Sequence, residues 1–403
     1  MSVATVGAGT EKAGRGRRVL ATACGAHALH DGFVDVLYVL LPVWQAQFGL
    51  SLAEVGFLRS VYSGTMAAFQ IPAGRLSERV GERGLLALGT LLAACGFVVA
   101  GQAAGFAVLA LCLALIGLGA SVQHPLGSAL TSGAFSRKRL RTALSTYNFS
   151  GDVGKVVVPA LAAGLLGFAA WPVVTDVLAA LGLVGAVAIW LALGDAHGKA
   201  AQATTAHEPA PARLPPAEAR RGFVALSAIG IVDSATRMGF LTLLPFLLVA
   251  KGAPVTTVGL ALSLVFAGGA AGKFVCGVIA ARVGVIRSIL MTEAATAVGM
   301  AAVPALDLAP TLMLLPALGV ALNGTSSVVY GTVGEIAPAA RRARAFGLFY
   351  TLSIGAGAIA PFVYGAVADQ IGLQGTVLLA CGVVLLTLPL TLPLGPAIRR
   401  LHG

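Results

Sequence analysis

Apolar residues run along this chain in stretches of about twenty, separated by short segments that collect glycine, proline and arginine. A helix of about 20 apolar residues, rising 1.5 Å per residue, crosses the roughly 30 Å hydrocarbon core of a bilayer. The pattern predicts twelve such helices, over 19–48, 54–74, 84–102, 105–134, 142–168, 172–193, 221–250, 255–279, 288–306, 309–336, 343–368 and 374–396. Residues 194–220 interrupt it with polar residues and with Pro209, Pro211, Pro215 and Pro216, the signature of a flexible linker. The expected organisation is a six-helix half over 1–193, a cytoplasmic linker over 194–220 and a second six-helix half over 221–403.

Composition carries the membrane reading past doubt. Of 403 residues, 57% are hydrophobic and 11% charged, and the mean hydropathy of +0.90 excludes an ordinary soluble domain. The net charge of +11 would raise nucleic acid as a partner in a soluble chain. Its placement explains it otherwise. With both termini cytoplasmic, 22 of the 27 Lys and Arg fall in the two ends, the linker and the loops after the second, fourth, eighth and tenth spans. That is the positive-inside bias. The partner is therefore a lipid bilayer, and nucleic acid is not expected. Arg59, Lys155, Arg237, Lys251 and Lys273 remain, in helices or near the outer face. The first apolar run lacks a small-residue cleavage pattern, so no removable leader is expected. Cys24, Cys95, Cys112, Cys276 and Cys381 fall in spans without paired spacing, which indicates neither a disulfide framework nor a metal site.

The two halves match. Asp31 and Asp233, Gly117 and Gly319, Ala143 and Ala345, and Pro159 and Pro361 stand 202 residues apart. Pro42 and Pro245, Gly56 and Gly259, Gly74 and Gly277, Arg79 and Arg282, and Gly81 and Gly284 stand 203 apart. Two parallel six-helix repeats are the plan of the major facilitator fold, with substrate handled near the membrane midplane between the halves. The segment GRLSERVGERG, Gly74 to Gly84, resembles the loop signature of the major facilitator superfamily, G-x-L-x-D-R-x-G-R-R. Gly74, Leu76, Arg79, Gly81 and Arg83 match, with Glu78 where the family usually has Asp, and GVIAARVG repeats Gly277, Arg282 and Gly284 in the second half. The resemblance implies that Gly74, Glu78, Arg79, Gly81 and Arg83 form a cytoplasmic gate motif. HALHDG in the first span, GLGASVQHP (Gly117 to Pro125) in the fourth and the glycine-punctuated fifth are similar to the bacterial fosmidomycin-resistance-type branch, whose members are drug exporters. Asp152 and Lys155 are not part of that branch's pattern. Superfamily antiporters often carry a fifth-helix pattern of glycine before proline. Here Gly151, Gly154, Pro159 and Gly164 give a loose version, with Val158 before the proline.

An ionisable side chain at mid-membrane is costly and is a functional candidate for that reason. Counted at about 1.5 Å per residue from the cytoplasmic edge, Asp31, Asp152 and Asp233 lie roughly 16–18 Å deep. His27, Asp31 and Asp35 share one helix face, with His30 and Tyr38 beside it. Asp31 has no basic neighbour on its own helix and is the leading proton carrier, with Asp35 and His30 as helpers; a histidine so placed can also be a hydrogen-bonded packing residue. Asp35 has Arg59 as a possible partner. Asp152 and Lys155 share a face and can pair, either as a fixed ion pair that fastens helices or as a switch released by a proton or substrate. Asn148 extends their polar stripe by one turn. His124 precedes Pro125, which should bend the fourth span and free a carbonyl. Arg237 and Lys273 outnumber Asp233 in the second half, which favours an organic anion as substrate. Gln123, His124, Asn148, Asp233, Asn323, Tyr330 and Tyr350 complete the candidate substrate wall. Glu293 and Asp307 sit near span ends and are expected to be solvated.

These features predict an all-α, proton-coupled secondary transporter of a small molecule, monomeric, in a bacterial inner membrane, with export favoured over uptake. Arginine outnumbers lysine 21 to 6, which suits a GC-rich bacterial genome. No phosphate-cradling loop is present, so the proton gradient rather than ATP is the expected energy source, with no cofactor. The rivals are a proton-coupled importer of an organic acid and a non-transporting sensor on the same fold. An enzyme is disfavoured, because no nucleophile with a base and no metal-ligand cluster stands out.

Overall fold

The computed structural model describes residues 3–194, 214–337 and 342–402. Most of the expected linker, with Pro209, Pro211, Lys199 and Arg213, lies outside the described residues, as does Arg341. All regular structure among the described residues is helical: α1 (Val3–Asp35), α2 (Leu37–Phe48), α3 (Leu52–Val80), α4 (Glu82–Gly101), α5 (Phe106–Ala120), α6 (Gln123–Ala134), α7 (Arg137–Leu166), α8 (Trp171–Leu193), α9 (Pro216–Ala250), α10 (Val255–Val283), α11 (Val285–Ala305), α12 (Leu308–Ile336), α13 (Arg342–Leu385) and α14 (Thr387–His402).

Among the described residues, ten helical stretches are long and apolar enough to cross a membrane, against twelve expected, for two reasons. First, α3 spans 29 residues but carries Glu54, Arg59, Arg75, Glu78 and Arg79, so its apolar content falls short. Second, Arg344–Leu401 forms one stretch of 58 residues, about 87 Å at 1.5 Å per residue, long enough to cross twice. Gly372, at φ 77° and ψ 167°, breaks it where the boundary between the last two spans was expected. Three expected spans are interrupted as well, the last of them at Leu386 between α13 and α14. The first divides at Val36 into α1 and α2, and the fourth divides at Ser121–Val122 into α5 and α6. Pro125 lies in the first turn of α6, where its missing N–H is tolerated, and the carbonyl it leaves without an i+4 donor is that of Ser121.

The repeat is visible in backbone geometry. α3 and α10 each span 29 residues and begin and end 203 residues apart. Each is followed by a glycine in the left-handed region, Gly81 at φ 86° and Gly284 at φ 88°, a conformation that a Cβ would strain. The close helix crossings also repeat: a Cβ on Gly117 would run into the Tyr62 carbonyl, and one on Gly319 into the Val265 carbonyl, 203 residues further on.

By internal contacts the chain forms two compact units, Met1–Leu37 with Val61–Thr205, and Tyr38–Ser60 with Ala206–Gly403. In the first, α1 packs on α6 and α7, and α4 on α5 and α8, around a core of Ala26, Leu86, Leu126, Leu130 and Ile189. In the second, α9 packs on α13 and α14, and α10 and α11 on α12, around Leu226, Ile229, Ile289, Val333 and Phe349. Large apolar side chains such as Phe168, Phe274 and Met313 are more than 70% exposed, a surface stable only against lipid.

Two of the cations left over by the positive-inside count have local structural roles. Lys251 donates from its Nζ to the carbonyls of Pro304 and Leu306 at the end of α11. Arg59, fully buried, donates to the Tyr38 hydroxyl at 3.1 Å and lies over the Tyr38 ring.

Candidate functional site

Three helices of the first unit converge on one carboxylate. α1 carries His27 and Asp31 one turn apart, α6 carries His124 at its start, and α7 carries Tyr147 and Lys155 two turns apart, with Gly151 midway. Asp31 is 6% exposed. Its Oδ2 lies 3.4 Å from His27 Nε2 and 3.4 Å from Lys155 Nζ, and its Oδ1 lies 3.8 Å from His124 Nε2. Gly151 makes the room: a Cβ there would come within 2.6 Å of Asp31 Oδ2 and 2.7 Å of His27 Nε2. The His27 and Tyr147 rings stack at 4.2 Å, and the His27 and His124 rings meet edge-on at 5.3 Å.

Hydrogen-bond geometry fixes the His27 tautomer. Its Nδ1 lies 2.8 Å from the backbone carbonyl of Tyr147, which can only accept, so Nδ1 carries the hydrogen. In the neutral ring Nε2 is then a bare lone pair facing Asp31. Two lone pairs facing each other at 3.4 Å repel unless a proton lies between them. A proton between His27 Nε2 and Asp31 Oδ2 would remove that repulsion, beside a lysine whose Nζ lies 3.4 Å from the same carboxylate oxygen. The ligating atoms of His27, Asp31 and His124 all lie within 4.8 Å of one another, which makes the set worth weighing as a metal site. Because Lys155 already brings a positive charge to that carboxylate, the set suits a proton better than a divalent ion.

The other candidates divide by position. His30 is buried and points away from Asp31: its Nε2 lies 2.9 Å from Thr90 Oγ1, whose own hydrogen goes to the Leu86 carbonyl, so His30 is the donor. Its Nδ1 has no partner. Asp35 is buried as the last residue of α1. Asp152 is half-buried and Asn148 exposed, both on α7. Gln123 is buried against Tyr147, its Nε2 3.3 Å from the phenol oxygen. In the second unit Asp233 is buried and Arg237 half-buried, one turn apart on α9, and no ion pair joins these two. Lys273 is exposed on α10. Asn323, half-buried, donates to the Gly319 carbonyl at 3.3 Å. Tyr350, 43% exposed, stacks on Tyr330 at 4.8 Å.

In the loop motif, Arg83 donates to the carbonyls of Trp190 and Gly194 at 2.8 Å each and covers the Trp190 ring at 4.1 Å. It thus ties the start of α4 to the end of α8, where helix carbonyls lack partners. Glu78 and Arg79 are exposed, Gly74 is half-buried, and Gly81 supplies the positive-φ turn.

Two functional candidates escaped the sequence reading in different ways. Tyr147 opens the YNFSGDVGK stretch but carries no charge to draw attention, although it is 1% exposed and stacks on His27. Glu293, expected to be solvated, is 1% exposed in the interior of α11. The helix begins at Val285, earlier than the span boundary suggested, which moves Glu293 inward, and α11 packs chiefly on α12 and α13. Asp307 is exposed at the N-cap of α12, as expected.

The model for the Major Facilitator Superfamily matches residues 23–231 and 226–401. Among curated relatives, the fosmidomycin resistance protein of Escherichia coli strain K12 is 28% identical over 182 residues, 44% of this chain and 45% of its own length. A probable L-galactonate transporter of the same strain is 27% identical over 148 residues, 37% of this chain and 31% of its own length. The chain thus spans less than half the length of these relatives. Among solved structures, a bacterial homologue of the human lysosomal transporter Spinster, inward-facing and unoccupied, has a TM-score of 0.77 at 16% identity. That match covers 96% of this chain and 98% of the other, and it shows the fold alone.

Proposed function

Because the chain belongs to the Major Facilitator Superfamily, and is thus a multi-pass membrane transporter rather than an enzyme, we propose that it moves a small organic anion by proton-coupled alternating access. The direction proposed is export, by antiport against protons across a bacterial inner membrane, with both termini cytoplasmic, by a monomer. The observation that carries the proton coupling is the lone pair of His27 Nε2 facing Asp31, with Lys155 on the same carboxylate. A proton arriving at Asp31 removes the charge that holds Lys155. Asp152, three residues before it on the same helix face, then becomes the acceptor within reach. Lys155 is in this way the switch, shared between two carboxylates rather than fixed to one. Loss of the proton returns the ammonium to Asp31, and a two-state element of this kind is what alternating access requires.

The anionic substrate class rests on Arg237 and Lys273 set against Asp233, with Asn323 and the Tyr330–Tyr350 stack as uncharged contacts. Export is favoured by the likeness to a fosmidomycin resistance protein. Uptake of an organic acid is the second reading, favoured by the relative named for L-galactonate, an organic anion. The orientation rests on the 22 basic residues that load one side.

Growth of a drug-sensitive bacterial host separates the readings. With wild type and Asp31→Asn at matched levels, across anionic and cationic inhibitors and organic-acid carbon sources, wild type is expected to confer resistance to an anionic inhibitor, and Asp31→Asn to fall to the level of the empty host. New growth on an acid, or heightened sensitivity, would mean uptake. Equal resistance from both proteins would remove Asp31 from the mechanism.

A further inference from the structure

The second unit holds a buried acid that the transport reading above does not use. Glu293 lies eight residues into α11, about 12 Å along it, and is 1% exposed. Its Oε1 has no hydrogen-bond partner. Thr325 of α12 is the hydrogen-bonding side chain beside the carboxyl, and Asp233 and Arg237 of α9 are the charged groups that act on it. Among the described residues, no charged group of α10, α12, α13 or α14 does so.

Thr292 Oγ1 lies 2.9 Å from the Ser288 carbonyl, and Thr325 Oγ1 lies 2.7 Å from Thr292 Oγ1. A Glu293 carboxylate would leave one oxygen without a partner, in surroundings where an unpaired charge is most costly. A carboxylic acid carries no such charge, and its hydroxyl can donate to a lone pair of Thr325 Oγ1.

We infer that Glu293 is a second proton-binding site of the transport cycle, separate from the His27–Asp31 site and closed by the acid's own hydrogen bond to Thr325. This rests on the proton-coupled reading of the chain, but its test does not depend on transport. While the proton is held, Asp233 is the one carboxylate acting on Arg237, and Arg237 and Lys273 keep their surplus over acids. When it leaves, two carboxylates act on one guanidinium that forms an ion pair with neither, so release is coupled to a movement of Arg237 towards Glu293. The proton goes to water or substrate and no other bond changes.

Infrared spectra of the purified, full-length protein in liposomes read this directly, through the carbonyl stretch of protonated carboxyl groups as pH is raised. Wild type should show a carboxylic-acid band at neutral pH that is missing in Glu293→Gln, displaced in Glu293→Asp, displaced again in Thr325→Val, and present in Asp31→Asn. Arg237→Gln should keep the band at a pH at which wild type has lost it, because the ionised acid then has no cation to receive it. If Glu293→Gln and Glu293→Asp match wild type throughout the acid region at every pH, Glu293 is ionised and the inference fails, whatever the transport assays give. Loss of the band in Asp31→Asn with its retention in Glu293→Gln would assign the proton to the first site only. Should Glu293→Gln fail to fold, Glu293→Asp and Thr325→Val still decide, since each keeps or nearly keeps the side-chain volume.

Discussion

Asp31 was legible as a residue: an acid in the middle of an apolar span is costly enough to demand a purpose. Its partner was not. Helical spacing places Lys155 beside Asp152, three residues away; the structure also brings Lys155 to Asp31 on a different helix, and nothing in the linear sequence encodes that approach. The same limit hid Glu293, whose burial is a property of the helices packed on α11 rather than of its distance from a span boundary. The pairing is open to a double-mutant cycle. Lys155→Met should destabilise the protein by less than the ~3–5 kcal/mol of a fully buried broken pair, because the Lys155 side chain is 32% exposed. Asp31→Asn combined with Lys155→Met should recover most of that loss. Thermal unfolding of the purified variants checks it, and additive losses in the double variant would show that the contact contributes no coupling.

At the scale of elements, helix existence followed from apolar length, and the turns at Gly81 and Gly284 followed from the repeated glycine. The breaks at Val36 and Ser121–Val122 did not, since neither lies at a glycine or proline, although Pro125 pointed to the neighbourhood of the second. A further element contact could not be read at all. Ser51 and Glu54 form a reciprocal cap at the start of α3, Ser51 N to Glu54 Oε2 at 2.9 Å and Glu54 N to Ser51 Oγ at 3.1 Å. Asp369 of α13 then accepts from the N–H groups of Leu52 and Ala53 at 2.9 Å each. Residues 52–60 and Asp369 belong to the same compact unit, so this acid fastens one repeat's helix to the other repeat's chain. Asp369→Ala should cost about 1–2 kcal/mol, the scale of a lost helix cap, and should raise hydrogen exchange at Leu52 and Ala53 first. Unchanged exchange there would mean that the Ser51–Glu54 cap holds the helix start unaided.

For the whole molecule, the 202–203 residue offset announced two repeats before any coordinates, because glycine, proline and charge recur only where backbone geometry demands them. The offset reappears in the matched lengths of α3 and α10 and in the paired positive-φ turns. The number of crossings was less legible: charge dilutes α3, and the last two spans follow one another with only the break at Gly372 between them. Function at this scale depends on the claim that the proton shared by His27 and Asp31 drives transport. The most direct measurement is flux of a compound found in the growth panel, into or out of liposomes holding purified wild type or Asp31→Asn, under an imposed pH gradient of either sign. The account predicts that wild-type flux follows the gradient and stops when an ionophore dissipates it, whereas Asp31→Asn still binds the compound but shows no response to the gradient. Gradient-driven flux through Asp31→Asn equal to that of wild type would contradict it.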